Sequence, residues 1–140
     1  MGGSLSLNKI NFEDVQSIVQ NGDGIIISTL PAERHQCLLS GTLSVEEEVA
    51  VLNQSLSSDN PSELRIVIYG ENSCDDTIVV KYSQLTKLGF NDVHIYVGGL
   101  FEWLLLQDIY GCELFPTTSV EKDFLKFKGR KKLSLKMLRC

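Results

Sequence analysis

Cys74 stands in an acidic loop, and that neighbourhood defines the chemistry open to it. The stretch Gly70, Glu71, Asn72, Ser73, Cys74, Asp75, Asp76 follows an apolar run and precedes a helical pattern. A thiol close to a helix amino terminus feels the positive end of the dipole, which favours the thiolate and hence persulfide or redox chemistry. Glu71, Asp75 and Asp76 oppose this, because neighbouring negative charge disfavours a second anion and repels anionic sulfur donors. Two readings of Cys74 follow. It is either a catalytic nucleophile or an ordinary loop cysteine, with Asp75 and Asp76 serving as cap and first-turn acids of the next helix.

Other groups with chemical potential are few. His35 and His94 are the only histidines. His94 falls in a strand pattern. Glu33, Arg34 and His35 follow Pro31 in a polar segment that either lines a small pocket beside the loop or is a solvated connection. Cys37 is a candidate partner for Cys74 in a reversible disulfide, provided their Cα atoms come within about 7 Å. Thr117 and Thr118 form either an exit loop or a phosphosite. Cys37, Cys74, Cys112 and Cys140 lack metal-binding spacing, with no Cys-x-x-Cys pair and no histidine doublet nearby, so neither a metal nor a cofactor is expected.

The elements that position these residues alternate. Phe12, Val15, Ile18 and Val19 recur at helical spacing and stop at the turn residues 21–24. Ile25, Ile26 and Ile27 read as a buried strand ended at Leu30 and Pro31. Ser44 and Glu47 form a capping box for a helix over about 45–56, with Val45, Val49 and Leu52 as its apolar stripe. A polar loop spans 57–62, and the β-branched run 65–69 predicts a central strand. Ile78, Val79, Tyr82, Leu85 and Leu88 mark a third helix, with Gly89 at its left-handed cap. Residues 93–97 give the next strand. Gly98 and Gly99 turn into a helix that carries Phe101, Trp103 and the leucines 104–106, apolar on nearly every face. Alternation of this kind implies an α/β fold, a parallel sheet covered by helices on both faces. Leu88, Phe90, Val93, Ile95, Val97 and Trp103 are expected to share one core with Ile25, Ile26, Ile27, Ile66, Val67 and Ile68.

The stretch from Ile66 to Trp103 resembles the C-terminal half of a rhodanese-like domain. Gly89 and Phe90, then Val93, Gly98 and Gly99, and Trp103 keep that family's spacing without a gap. Residues 39–43 stand where the family usually reads Ile-Pro-Gly-Ala-Ile. The resemblance covers residues 9–118 and implies a three-layer rhodanese-like fold around a five-stranded, mostly parallel sheet, followed by a basic tail over 119–140. The departures bear on activity. Where active members place the nucleophilic cysteine this chain has Gly70, where they read Asp-Val-Arg it has Ser28, Thr29 and Leu30, and the framework histidine is Leu38. The resemblance thus implies a binding or regulatory module without sulfurtransferase activity. The alternative is a weak sulfurtransferase or persulfide carrier that uses Cys74.

Charge and length bound the partners. The chain has 140 residues and a net charge of −5, yet residues 121–140 carry eight of the thirteen basic residues against two acidic ones. This balance of +6 leaves −11 for residues 1–120, a body that repels nucleic acid and anionic lipid. The expected partner is a protein or a small sulfur-containing ligand. Phe124, Leu125 and Phe127 interleave with lysines, so the tail either lays these residues on the body or meets a membrane surface. Gly2 and Ser6 fit an N-myristoylation pattern, and one acyl chain with a polybasic patch is a two-signal membrane anchor. No apolar run approaches the roughly 18 residues of a bilayer span, and the first residues lack the features of a secretory leader. An intracellular, cytoplasmic protein with reduced cysteines is expected.

Overall fold

The computed structural model describes residues 7–58, 61–131 and 133. Gly2 and Ser6, Asp59 and Asn60 of the polar loop, and Cys140 with the last lysines and leucines of the tail lie outside the described residues. Four strands form one sheet: β1 (Lys9–Ile10), β2 (Ile25–Ser28), β3 (Arg65–Tyr69) and β4 (Asp92–Tyr96), in the order β1-β4-β3-β2. Every pairing is parallel. Between the strands run α1 (Phe12–Asn21), α2 (Val45–Ser57) and α3 (Thr77–Lys87), and α4 (Gly99–Tyr110) follows β4.

Local chemistry sets the helix boundaries. Asn11 caps α1 by accepting the amides of Glu13 and Asp14. The Ser44 and Glu47 capping box of α2 forms in both directions, at 3.2 and 2.9 Å. Gly89 leaves α3 with a φ of 109°.

The two faces of the sheet follow the period-two alternation of its strands. Ile66 and Ile68 of β3, Ile27 of β2, and Val93 and Ile95 of β4 pack with Leu52 of α2, Ile78, Tyr82 and Leu85 of α3, and Phe90. Val67, Tyr69, Ile26 and Tyr96 point the other way, onto Val15 and Ile18 of α1 and Leu100, Trp103 and Leu104 of α4. Trp103 meets Tyr96 and Phe115 edge-on, with ring centroids 6.0 and 5.0 Å apart, and its indole N–H donates to the Pro116 carbonyl. Helices thus cover both faces.

Three expectations need correction. The described residues form four strands rather than five. The segment 39–43 pairs with the sheet backbone only at the Ile26–Thr42 bridge, where a turn from Thr42 N to the Leu39 carbonyl bends it, and it is also held by the Tyr69 hydroxyl. The single expected core is two, one on each face, and Leu88, 53% exposed, belongs to neither. On α2 only Leu52 is buried. Val45 and Val49 are exposed, and Leu52 alone carries the stripe into the core. No helix among the described residues is long and apolar enough to cross a membrane.

Candidate functional site

Parallel strands bring their carboxyl ends to one edge, and ligands of open α/β sheets bind beyond that edge. Ser28, Tyr69 and Tyr96 stand in register there. Gly70 opens the loop that follows β3. The loop carbonyls point at α4: Gly70 and Glu71 accept the amides of Leu100 and Phe101 at 2.9 and 2.8 Å. This docking requires glycine at 99. A Cβ there would lie 2.7 Å from the Gly70 oxygen and 2.9 Å from the Asn72 nitrogen.

Asp75 is the centre of the loop. Its carboxylate accepts the Glu71 amide at 2.9 Å, the Thr77 amide at 3.0 Å and the Thr77 hydroxyl at 2.6 Å. Burial pushes this carboxyl up, but the Thr77 hydroxyl and the two amides outweigh it and hold it below the usual aspartate value. Asp76 occupies the cap position of α3 with no side-chain bond to the helix, so Asp75 does the capping from one residue further out. Two further amides are committed, that of Cys74 to the Asn72 side chain and that of Asp75 to the Asn72 carbonyl. None of these amides points at the Cys74 sulfur. The loop is an amide cradle filled by its own carboxylate.

Gly70 and Asp75 exclude bulk from each other's place. A Cβ on Gly70 would lie 2.4 Å from Asp75 Oδ2 and 3.1 Å from Thr29 Oγ1. Thr29 in turn bonds Thr77 Oγ1 at 2.7 Å, which ties β2 to the start of α3. Tyr69 and Tyr96 end their strands at this edge with buried side chains that do not line the cleft. Burial raises both phenols, and the Glu102 carboxylate that accepts from Tyr96 raises it further, so neither acts as a base near neutrality.

The second wall comes from the far end of the chain. Residues Phe124–Phe127 form a 3-10 turn whose Phe127 is 1% exposed and joins the cluster of Trp103 and Phe115. Asn72 Nδ2 donates to the Phe127 carbonyl at 2.8 Å, and Arg34 Nη1 donates to the Lys126 carbonyl at 3.2 Å. The Arg34 guanidinium stacks 5.5 Å from the Phe127 ring centroid and pairs with Glu71 at 3.6 Å. Phe124 is half-buried against the same cluster, whereas Leu125 is exposed. Between the walls lies a cleft of about 520 Å³, lined by Cys74, Asp75 and Asp76 on one side and Lys126, Lys128, Gly129 and Arg130 on the other.

Of the residues singled out from the sequence, Glu71, Asn72, Cys74, Asp75 and Asp76 line this cleft, and Gly70 and Ser73 do not. Arg34 lines it as well. His35 turns away to bond the Leu30 carbonyl at 2.8 Å. His94 pairs with Asp92 at 2.5 Å beside α1, away from the loop. Cys37 is buried, with its thiol on the Ser119 carbonyl, while Cys74 is exposed, and both are free thiols. No group of His, Cys, Asp or Glu among the described residues could hold a metal ion. Thr29, Thr77 and Phe127 were not anticipated as parts of the site. Phe127 carried one signal, an aromatic residue set among lysines.

No family model matches the sequence, and no curated protein is significantly similar to it. Solved structures match in fold. A rhodanese-like domain from Anabaena sp. superposes with a TM-score of 0.53 at 18% identity, over 91% of this chain and 89% of that one. A thiosulfate sulfurtransferase from Pseudomonas aeruginosa gives 0.57 at 16% identity, over 86% of this chain and 23% of that one. A single-domain sulfurtransferase from Saccharomyces cerevisiae gives 0.52 at 14% identity, over 81% and 99%. The chain accordingly has the rhodanese-like fold, an α/β sandwich with its cleft at the carboxyl edge of a parallel sheet.

Proposed function

We propose that this chain is a rhodanese-like binding module that does not transfer sulfur, with its ligand site in the cleft between the 70–77 loop and the C-terminal segment. The observation that carries the reading is the placement of Asp75. Its carboxylate takes the space a side chain at position 70 would need and consumes the loop donors Glu71 N and Thr77 N. A persulfide or oxyanion intermediate gains its stabilisation from such preorganised donors. A second reading, a weak sulfurtransferase or persulfide carrier, draws support from Cys74, whose exposed thiol lines the same cleft.

Thiosulfate and cyanide distinguish the two. The full chain should form no thiocyanate, and persulfide labelling should leave Cys74 unmodified. Thiocyanate production that disappears in Cys74→Ser would overturn the binding-module reading.

A further inference from the structure

We propose that the cleft binds an acidic peptide and that Lys128 and Arg130 are the residues that recognise it. This names the ligand class of the site above and rests on the binding-module reading.

Packing, rather than charge, holds the basic wall in place. Phe127 is sunk into the core, and Asn72 and Arg34 grip the backbone at Phe127 and Lys126. Lys128, Gly129 and Arg130 follow directly and are carried past the loop. A Cβ on Gly129 would stand only 3.6 Å from the Cys74 sulfur.

The charges in the cleft are unevenly engaged. Arg34 is matched by Glu71, Lys126 pairs with Glu121, and Asp75 is occupied by the loop donors. Lys128 and Arg130 make no ion pair among the described residues. Of the three acids that line the cleft, Glu71 and Asp75 are engaged in this way, and Asp76 makes no ion pair among the described residues. Residues 1–120 carry −11, so this wall is where an anionic chain escapes the repulsion of the body.

The shape of the ligand follows from what the loop withholds. A compact oxyanion gains most from converging amides, and those of Glu71 and Thr77 already serve Asp75. Carboxylates spaced along an extended chain need no such cradle and pair with cations on an open wall. A bilayer would need the cations on a flat or convex face, whereas these line a concavity of about 520 Å³.

The test uses the full chain and a fluorescein-labelled hexaglutamate peptide, read by anisotropy at about 0.15 M ionic strength, where the Debye length is about 8 Å. Lys128→Glu with Arg130→Glu should weaken binding about tenfold or more. The control Lys9→Glu with Lys87→Glu makes the same change in net charge outside the cleft and should leave affinity within about twofold. Equal losses in the two variants, or no binding by the parent, would overturn the proposal. So would capture on phosphatidylserine vesicles without peptide binding. Thiocyanate formation is measured on the same preparations. A Cys74-dependent signal there refutes the binding-module reading itself, whereas its absence together with a failed peptide titration refutes only the ligand class.

Discussion

The carboxylate of Asp75 stands where a side chain on Gly70 would have to begin, 2.4 Å from that position. Neither residue can change independently. Gly70→Cys must push Asp75 off three donors or strain the loop, and should cost about 1–3 kcal/mol. Urea denaturation checks this, and the double variant Gly70→Cys with Asp75→Ala should recover part of the loss. A single variant as stable as the parent would show that the loop yields freely.

Acid should loosen the same loop. The folded-state value of Asp75 lies below its unfolded value of about 3.9, so its contribution to stability is complete above about pH 4 and is lost as pH falls through the folded value. Carbon-13 titration of the carboxyl, with hydrogen exchange at the Glu71 and Thr77 amides, measures it. Asp75→Asn should remove the pH dependence of the protection factors of those two amides. A carboxyl that titrates above pH 4 contradicts the arrangement described.

Removal of the Phe127 ring should release the basic wall. A fully buried phenylalanine cut to alanine costs about 3–5 kcal/mol, which raises the undocked population of the segment by a hundredfold or more. Trypsin should then cut at Lys126, Lys128 and Arg130 faster in Phe127→Ala than in the parent, while the body stays intact. Unchanged cleavage would mean that the hydrogen bonds from Asn72 and Arg34 suffice.

Ile68 tests the central strand. It is fully buried between β3 and the α2 and α3 face. Ile68→Ala should destabilise the protein by about 2–5 kcal/mol in a denaturant titration. A loss under about 0.5 kcal/mol is incompatible with its placement.

Periodicity made the framework legible. The runs at 25–27 and 65–69 are β-branched, and the Ser44 and Glu47 pair marks a helix start that the structure places at Val45. The misjudged residues were those whose fate depends on distant partners. Val49 and Leu88 sit in apolar stripes, but a stripe does not say how much of a helix the sheet reaches. The fifth strand was expected from the family resemblance alone, and no stretch of the sequence itself carried its pattern.

The loop was read as repulsive because its three acids were considered in isolation. In the fold Glu71 meets Arg34, Asp75 turns onto the Glu71 and Thr77 amides, and Lys128 comes up opposite from more than fifty residues away. No local window contains those partners.

Phe127 also sets the order in which the molecule can be completed. A chain made from its amino end at about 5–20 residues per second has every strand in hand once Tyr96 has emerged. The aromatic that joins Trp103 and Phe115 arrives only later. During that interval the nascent domain has its sheet but an open apolar socket beside α4, the kind of surface that chaperones and proteases survey. A chain cut before Phe127 would leave that socket open, and would be exposed to cellular quality control for want of one late aromatic residue.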